Sequence, residues 1–296
     1  MANYIDSEQK VRDLFPKGAS FNFEGKTYTV AICDKPRPSK GECKTDVYIK
    51  GIAADNEEIE IKISVKQSNA DFLENKISLE RAFQILGNDA VDIIKKSTLS
   101  IKDKFEEDYL VYFTAPGKQE GKTMKLGWKF ELLNKQSGEK SNALVLTDEQ
   151  KIEIYSGKSL PEDKRNSKVD GVIIKDSGVA NFILNLEDKD MTQVECLNRL
   201  EPIADFAKKQ NIYFACKALN YRYEKGKWDG PRPLAVYVDW FINKDGKLDA
   251  CLRYDEPLMH NGNEIGKNLK NLMEELKIKT FGGLKKKLAK TVKCHG

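Results

Sequence analysis

Gly41-Glu-Cys-Lys-Thr-Asp46-Val-Tyr-Ile-Lys-Gly51, a polar stretch, and then Glu58-Ile-Glu-Ile-Lys-Ile-Ser64-Val-Lys66-Gln67 form the segment whose reading decides the fold. Polar and apolar residues alternate with period two in both halves, the pattern of half-buried strands. The polar residues at 51–57 make the two halves an antiparallel hairpin. With the turn centred near residue 54, facing residue numbers sum to about 108, give or take two. Residues 42–46 then lie across from residues 62–66. Asp46, Ser64 and Lys66 converge at one end of the hairpin. Parity sets Glu60, Lys62, Ser64 and Lys66 on one face, shared with Asp46 and Lys44.

A carboxylate beside a lysine at a strand end suits phosphodiester hydrolysis. Carboxylates hold one or two Mg²⁺ ions. The metal polarises the phosphate and helps form hydroxide from its bound water. A lysine orients or deprotonates that water, or steadies charge developing on phosphorus.

Asp46 followed by a strand carrying x-x-Lys resembles the PD-(D/E)XK nuclease superfamily, which includes most restriction endonucleases. Thr45 stands where the motif has a proline that is often absent, and Ser64 stands in place of the second carboxylate. A subset of restriction endonucleases carries Ser-x-Lys-x(12–13)-Glu, with the missing carboxylate moved to the following helix. Thirteen residues separate Lys66 from Glu80. Glu80 falls in segment 70–86, where Phe72, Leu73, Ile77, Phe83 and Leu86 recur at helical spacing. The resemblance implies that Asp46 and Glu80 are metal ligands, that Lys66 is the catalytic lysine and that Ser64 marks the vacated position. Glu42 and Gln67 are accessory candidates.

Glu60-Ile-Lys62 satisfies Glu-x-Lys literally and is the alternative within the same hairpin. Register speaks against it, because Glu60 faces residues 48–50, away from Asp46. Alternating Lys and Glu are also what the solvated face of a half-exposed sheet shows. The resemblance covers about 40 residues.

Working outward, residues 6–15 have the pattern of a short amphipathic helix and residues 20–32 that of a hairpin around Glu24-Gly25-Lys26. A helix is expected at 89–103, and strands at 108–115, 124–133, 142–155, 172–175 and 181–184. Residues 191–209 read as one helix, three β-patterned runs fill 211–254, and a last helix covers 263–277. The expected class is α/β (α+β): a central mixed sheet flanked by helices, a restriction-endonuclease-like core, and an additional β-rich region. The expected division is a catalytic core at 1–110 and a β-rich region at 111–296 that completes the core and recognises DNA, the two forming one continuous domain or two.

The chain has 296 residues, 40% hydrophobic and 32% charged, the balance of a folded globular protein. Its formal net charge of +4 suits a polyanionic partner. Only His260 and His295 are present, too few for a multi-histidine metal centre, and a histidine-based triad would need them better placed. Six cysteines are scattered without a CxxC pair, as in a reducing compartment. No leader-like or membrane-spanning apolar run is found, so a cytoplasmic protein is expected. Gly157-Lys158-Ser159 lacks the spacing of a nucleotide phosphate loop, since position 152 is isoleucine, and no nucleotide cofactor is expected.

Two basic loops are candidates for contacting DNA. One carries Lys35, Arg37, Lys40 and Lys44. The other, Tyr221-Arg-Tyr-Glu-Lys-Gly-Lys-Trp-Asp-Gly-Pro-Arg-Pro, carries Arg222, Lys225, Lys227 and Arg232. The expected function is a Mg²⁺-dependent type II restriction endonuclease cutting double-stranded DNA as a homodimer. The alternatives are another DNA nuclease of the superfamily (repair, recombination or modification-dependent) or a non-catalytic DNA-binding protein.

Overall fold

Strand β1 (Ser20–Phe23) and strand β2 (Lys26–Asp34) open the fold, joined by Glu24 and Gly25 at φ 50° and 81°. Two successive positive φ angles give the turn whose twist matches the flanking strands. The computed structural model describes residues 4–67, 72–117, 120–186 and 191–296, with only the backbone for residues 4–6 and Gln67.

The chain forms two compact units, each built from two stretches: Met1–Asp71 with Leu146–Gln210, and Phe72–Val145 with Asn211–Gly296. The units therefore do not part at residue 110 as expected. A strand from the 180s returns to the sheet of the first hairpins and draws its flanking helices into the first unit.

The sheet of the first unit runs β1, β2, β3 (Val47–Ala53), β4 (Glu58–Gln67), β5 (Phe182–Leu186) and β6 (Glu201–Pro202). Neighbours are antiparallel except β4 and β5, which are parallel. Around it lie α1 (Tyr4–Asp13), α2 (Asp148–Ser156), α3 (Gln193–Asn198) and α4 (Ile203–Lys208), with one helical turn at Glu162–Arg165. The alternation read from the sequence separates the two faces of β3 and β4. Val47, Ile49, Ala53, Ile61 and Ile63 enter a core with Val11 of α1, Phe15 just after that helix, and Cys196 and Leu197 of α3. Gly51 is required there, because a Cβ would lie 2.7 Å from the Phe21 ring. The polar side chains fall on the other face.

The second unit is an antiparallel arrangement of Lys227–Trp228, Ile212–Arg222, Thr123–Leu133, Val236–Ile242 and Leu248–Arg253. Trp128, Trp240, Phe105, Phe130 and Phe214 are fully buried. Helix Gly262–Glu275 approaches Trp228 through Gly266, where a Cβ would come within 2.7 Å of the indole. The protein is thus a mixed α and β structure with sheets flanked by helices. Among the described residues, no helix is long and apolar enough to cross a membrane.

Three segments depart from expectation. The helix expected over 70–86 begins only at Leu79, where Ser78 accepts from the Arg81 amide at 3.1 Å. Phe72–Glu74 is instead a strand paired with Thr123–Leu133. Residues 148–156 form α2 and not a strand, because Thr147 and Gln150 close a capping box that overrides the alternating Ile-Glu-Ile pattern. The helix expected over 191–209 breaks at Pro202, which cannot continue it and pairs with β5.

Candidate active site

Lys50 faces Glu60 and Val47 faces Ile63, so the β3–β4 turn centres on residue 55, one position beyond the expected centre. Continuing that register sets Asp46 across from Ser64. The Asp46 amide donates to the Ile63 carbonyl at 2.8 Å. The Val65 amide donates to Asp46 Oδ2 at 2.8 Å. The loop before it is tethered as well: the amides of Lys44 and Thr45 donate to the Gly178 carbonyl at 3.0 and 3.3 Å. Gly178 has no room for a side chain, since a Cβ would lie 1.9 Å from the Lys164 carbonyl oxygen and 2.8 Å from Cys43 Cβ. The backbone therefore holds the Asp46 carboxylate at the start of β3.

Lys66 lies two residues beyond Ser64, beside Asn185 of the parallel strand β5. Asp46 and Lys66 thus stand at the carboxyl end of the parallel pair, the end at which α/β sheets place ligand sites. Ser64 is fully buried and Asp46 half-buried. Burial pushes the Asp46 carboxyl up to about 6; Lys66, the Val65 amide and Lys35 pull it down, and Glu8 pushes it further up.

Glu8 is a further residue at this site, one outside the motif around Asp46 and Lys66. It belongs to α1, its side chain is 16% exposed, and it pairs with Lys35. A signal for it exists: Glu8 precedes the fully buried Val11 by three positions, which places an acid toward the apolar face of an amphipathic helix. An acid there needs a partner or a task. Glu8, Lys35 and Lys66 thus all act on Asp46, and Glu8 and Lys35 also pair with each other.

The other expected residues are distributed as follows. Glu60 accepts from the Tyr48 hydroxyl at 2.6 Å and lies 3.6 Å from Lys62 Nζ, which also donates to the Asp176 carbonyl at 3.2 Å. That pair is engaged further along the strand, away from Asp46. The Gln67 side chain lies outside the described residues. Glu42 and Lys40 are exposed. Arg37 pairs with Asp34 at 2.9 Å. The stem of Lys44 runs against Gly157, where a Cβ would come within 2.7 Å of it. Glu80 is exposed in the first turn of helix Leu79–Leu86, in the second unit.

In the other basic loop, Arg222 binds Asp229 at 2.8 Å and also Glu120, and Lys225 binds Glu120 at 2.7 Å. Their charges are balanced locally. Lys227 is exposed and Arg232 half-buried.

Among the described residues, no group of three or more His, Cys, Asp or Glu side chains is placed to hold a metal ion. Mg²⁺ does not need such a group, because it keeps several waters and is commonly held by one or two carboxylates with substrate phosphates. Asp46 fits that chemistry. One of its oxygens is fixed by the Val65 amide, while Oδ1 meets no donor among the described residues. Glu8 is the second carboxylate acting on the same site.

No family model, no curated protein and no solved structure matches this chain.

Proposed function

We propose that the protein is a Mg²⁺-dependent endonuclease of the PD-(D/E)XK type that hydrolyses phosphodiester bonds in double-stranded DNA, acting as a sequence-specific type II restriction enzyme. The observation that carries this reading is Asp46, fixed across the ladder from Ser64 with Lys66 two residues further on, at the carboxyl end of a parallel strand pair.

Asp46 would hold the metal, which supplies charge neutralisation at the phosphate and a more acidic bound water. Lys66 orients the attacking water or meets the charge developing on the phosphate. Ser64 leaves the position facing Asp46 uncharged, so a second carboxylate has to come from another element. Glu8 of α1 is the acid that the geometry adds, and Glu80 is the one that the resemblance names. In the loop before Asp46, Lys35 and Arg37 already have Glu8 and Asp34 as partners, and the exposed Lys40 would attract the backbone phosphates. The β-rich second unit, with Lys227 and Arg232, would read the target, and a homodimer would cut both strands.

The test is digestion of long unmodified DNA with Mg²⁺, followed by sequencing of the fragment ends. Discrete ends sharing one sequence are expected. Lys66→Ala and Asp46→Ala should each lower cleavage about a thousandfold while DNA binding in Ca²⁺ persists. Metal-dependent cutting that survives both substitutions would sink the site assignment. Random ends would mean a non-specific nuclease, cutting confined to modified or branched DNA a different member of the superfamily, and binding without cutting a DNA-binding protein.

A further inference from the structure

Segment 276–296 carries seven lysines, Lys277, Lys279, Lys285–Lys287, Lys290 and Lys293, and no aspartate or glutamate. Without those lysines the formal net charge of the chain falls from +4 to −3. The positive balance of the protein is concentrated here. The segment is folded into the second unit. Phe281, Leu284 and Val292 are buried, and the Phe281 ring centre lies 5.1 Å from that of Phe113 and 5.1 Å from that of Tyr223. The Ala289 amide donates to the Leu248 carbonyl at 2.9 Å, and Cys294–His295 pairs in parallel with Val111–Tyr112. A backbone already ordered loses little freedom when it binds.

All seven lysines are exposed, and among the described residues none forms an ion pair with a carboxylate. Lys293 donates to the Glu106 carbonyl and Lys285 lies 5.6 Å from the Phe113 ring centre, contacts that cancel neither charge. Two acids beside the segment are engaged elsewhere. Glu106 pairs with Lys102 at 3.2 Å, and Asp249 accepts from Thr291 at 2.6 Å and from Asn243 at 3.1 Å. The basic loops differ, since Lys35, Arg37, Arg222 and Lys225 each have a carboxylate partner. Lysines in the last turn of a helix complement its dipole. That accounts for Lys285–Lys287 at the end of helix Phe281–Lys287 and not for the other four.

Like charges held on an ordered segment repel one another, and a polyanion relieves that repulsion. The segment has lysines and no arginine, so it offers point charges to phosphate oxygens without the planar fork of bidentate recognition. Among the described residues, none of the exposed large apolar side chains lies in it. It therefore has nothing to insert into a lipid surface or to anchor a protein partner. Duplex DNA presents one negative charge per about 1.7 Å of its axis.

We propose that segment 276–296 binds the phosphate backbone of duplex DNA independently of sequence and supplies most of the salt-dependent affinity of the protein. The polyanion follows from the segment alone. Duplex DNA as that polyanion rests on the nuclease reading.

The experiment is fluorescence anisotropy of the full chain with a labelled duplex of arbitrary sequence, in EDTA, between about 50 and 200 mM salt. Each phosphate contact contributes about 0.9 to the slope of log affinity against log salt. Replacing Lys285, Lys286, Lys287 and Lys290 together by glutamine should flatten the slope by about 3 and weaken binding at least about a hundredfold. Arginine at the same four positions should keep the slope, which separates lost charge from lost folding. Lys102→Gln with Lys104→Gln removes two lysines that pair with Glu106 and Glu107, and should change the slope by less than about one. A fourfold glutamine variant with the original slope would overturn the proposal. So would a duplex left unbound while phosphatidylserine vesicles or duplex RNA are bound.

Cleavage is read separately. Lysine-dependent binding without Mg²⁺-dependent cutting keeps this surface and removes the nuclease reading. Cutting by a protein whose salt slope ignores the four glutamines removes the surface alone.

Discussion

Asp46 in the first unit and Asp108 in the second are both acids beside lysines at the margin of a sheet, and they end in opposite electrostatic states. Asp108 lies 2.9 Å from Lys140 Nζ and 3.3 Å from Lys125 Nζ, and accepts from the Tyr112 hydroxyl at 2.9 Å. Burial drives its carboxyl upward, but Lys125, Lys140 and Tyr112 outweigh that push and hold it below the ordinary carboxylate range. Asp46 has one backbone amide and the fields of Lys66 and Lys35, opposed by Glu8, and burial wins. A network completed by its own side chains is built to stand. One that leaves a carboxylate under-compensated carries an electrostatic cost, and such imbalance concentrates at working sites.

The sharpest way to break this contrast is to remove one group from each network. Lys66→Ala should lower DNA cleavage about a thousandfold while unfolding free energy moves by less than about 1 kcal/mol, both read on the same preparation. Asp108→Ala should do the reverse. It strands Lys125, only 3% exposed, in the interior, at a cost of about 3 kcal/mol or more by urea titration. The folded fraction should keep its specific activity. If Asp108→Ala melts normally and abolishes cleavage, the two carboxylates have been assigned the wrong way round.

Smaller, and aimed at the second acid, is the comparison of Glu8→Gln with Glu80→Gln. Loss of a supporting metal carboxylate costs about ten- to a hundredfold in metal affinity or activity. If Glu8, whose charge acts on Asp46, is the second acid, Glu8→Gln raises the Mg²⁺ concentration needed for half-maximal cleavage by that factor. The same shift in Glu80→Gln with Glu8→Gln unaffected would restore the acid implied by the resemblance.

Much of the first unit was legible because period-two alternation is a local signal. Val47, Ile49, Ile61 and Ile63 announced the buried face, and the short polar turn fixed the register to within one position of its centre. Glu8 was less legible, because its closeness to Asp46 arises only when α1 packs on the sheet some 38 residues earlier in the chain than its partner. The return of β5 beside β4 was illegible for the same reason: parallel pairing across more than 100 residues leaves no mark in either strand. Where local signals competed, the cap won. Thr147 and Gln150 made a helix of an alternating segment, and Ser78 delayed the helix that carries Glu80.

The finest test of the contrast is the pH dependence of stability. Asp46 has a folded-state pKa of about 6 against an ordinary 3.8. The folded chain therefore binds this proton more tightly than the unfolded chain does. Stability from this group is full below about pH 4 and is lost as pH rises through 6. Asp46→Asn removes the charge while its amide oxygen can still accept from Val65. With an allowance for the solvent that reaches this half-buried group, the substitution should gain about 1–2 kcal/mol more at pH 8 than at pH 3.5. Asp108→Asn should show the opposite slope. Its carboxyl is held low, so its contribution is present above the ordinary carboxylate range and lost as pH falls through its depressed value. Urea titrations of both variants across this range would show two lines of opposite sign. A flat line for Asp46→Asn would mean that its carboxylate is already compensated in the free protein, with no electrostatic vacancy for a metal to fill.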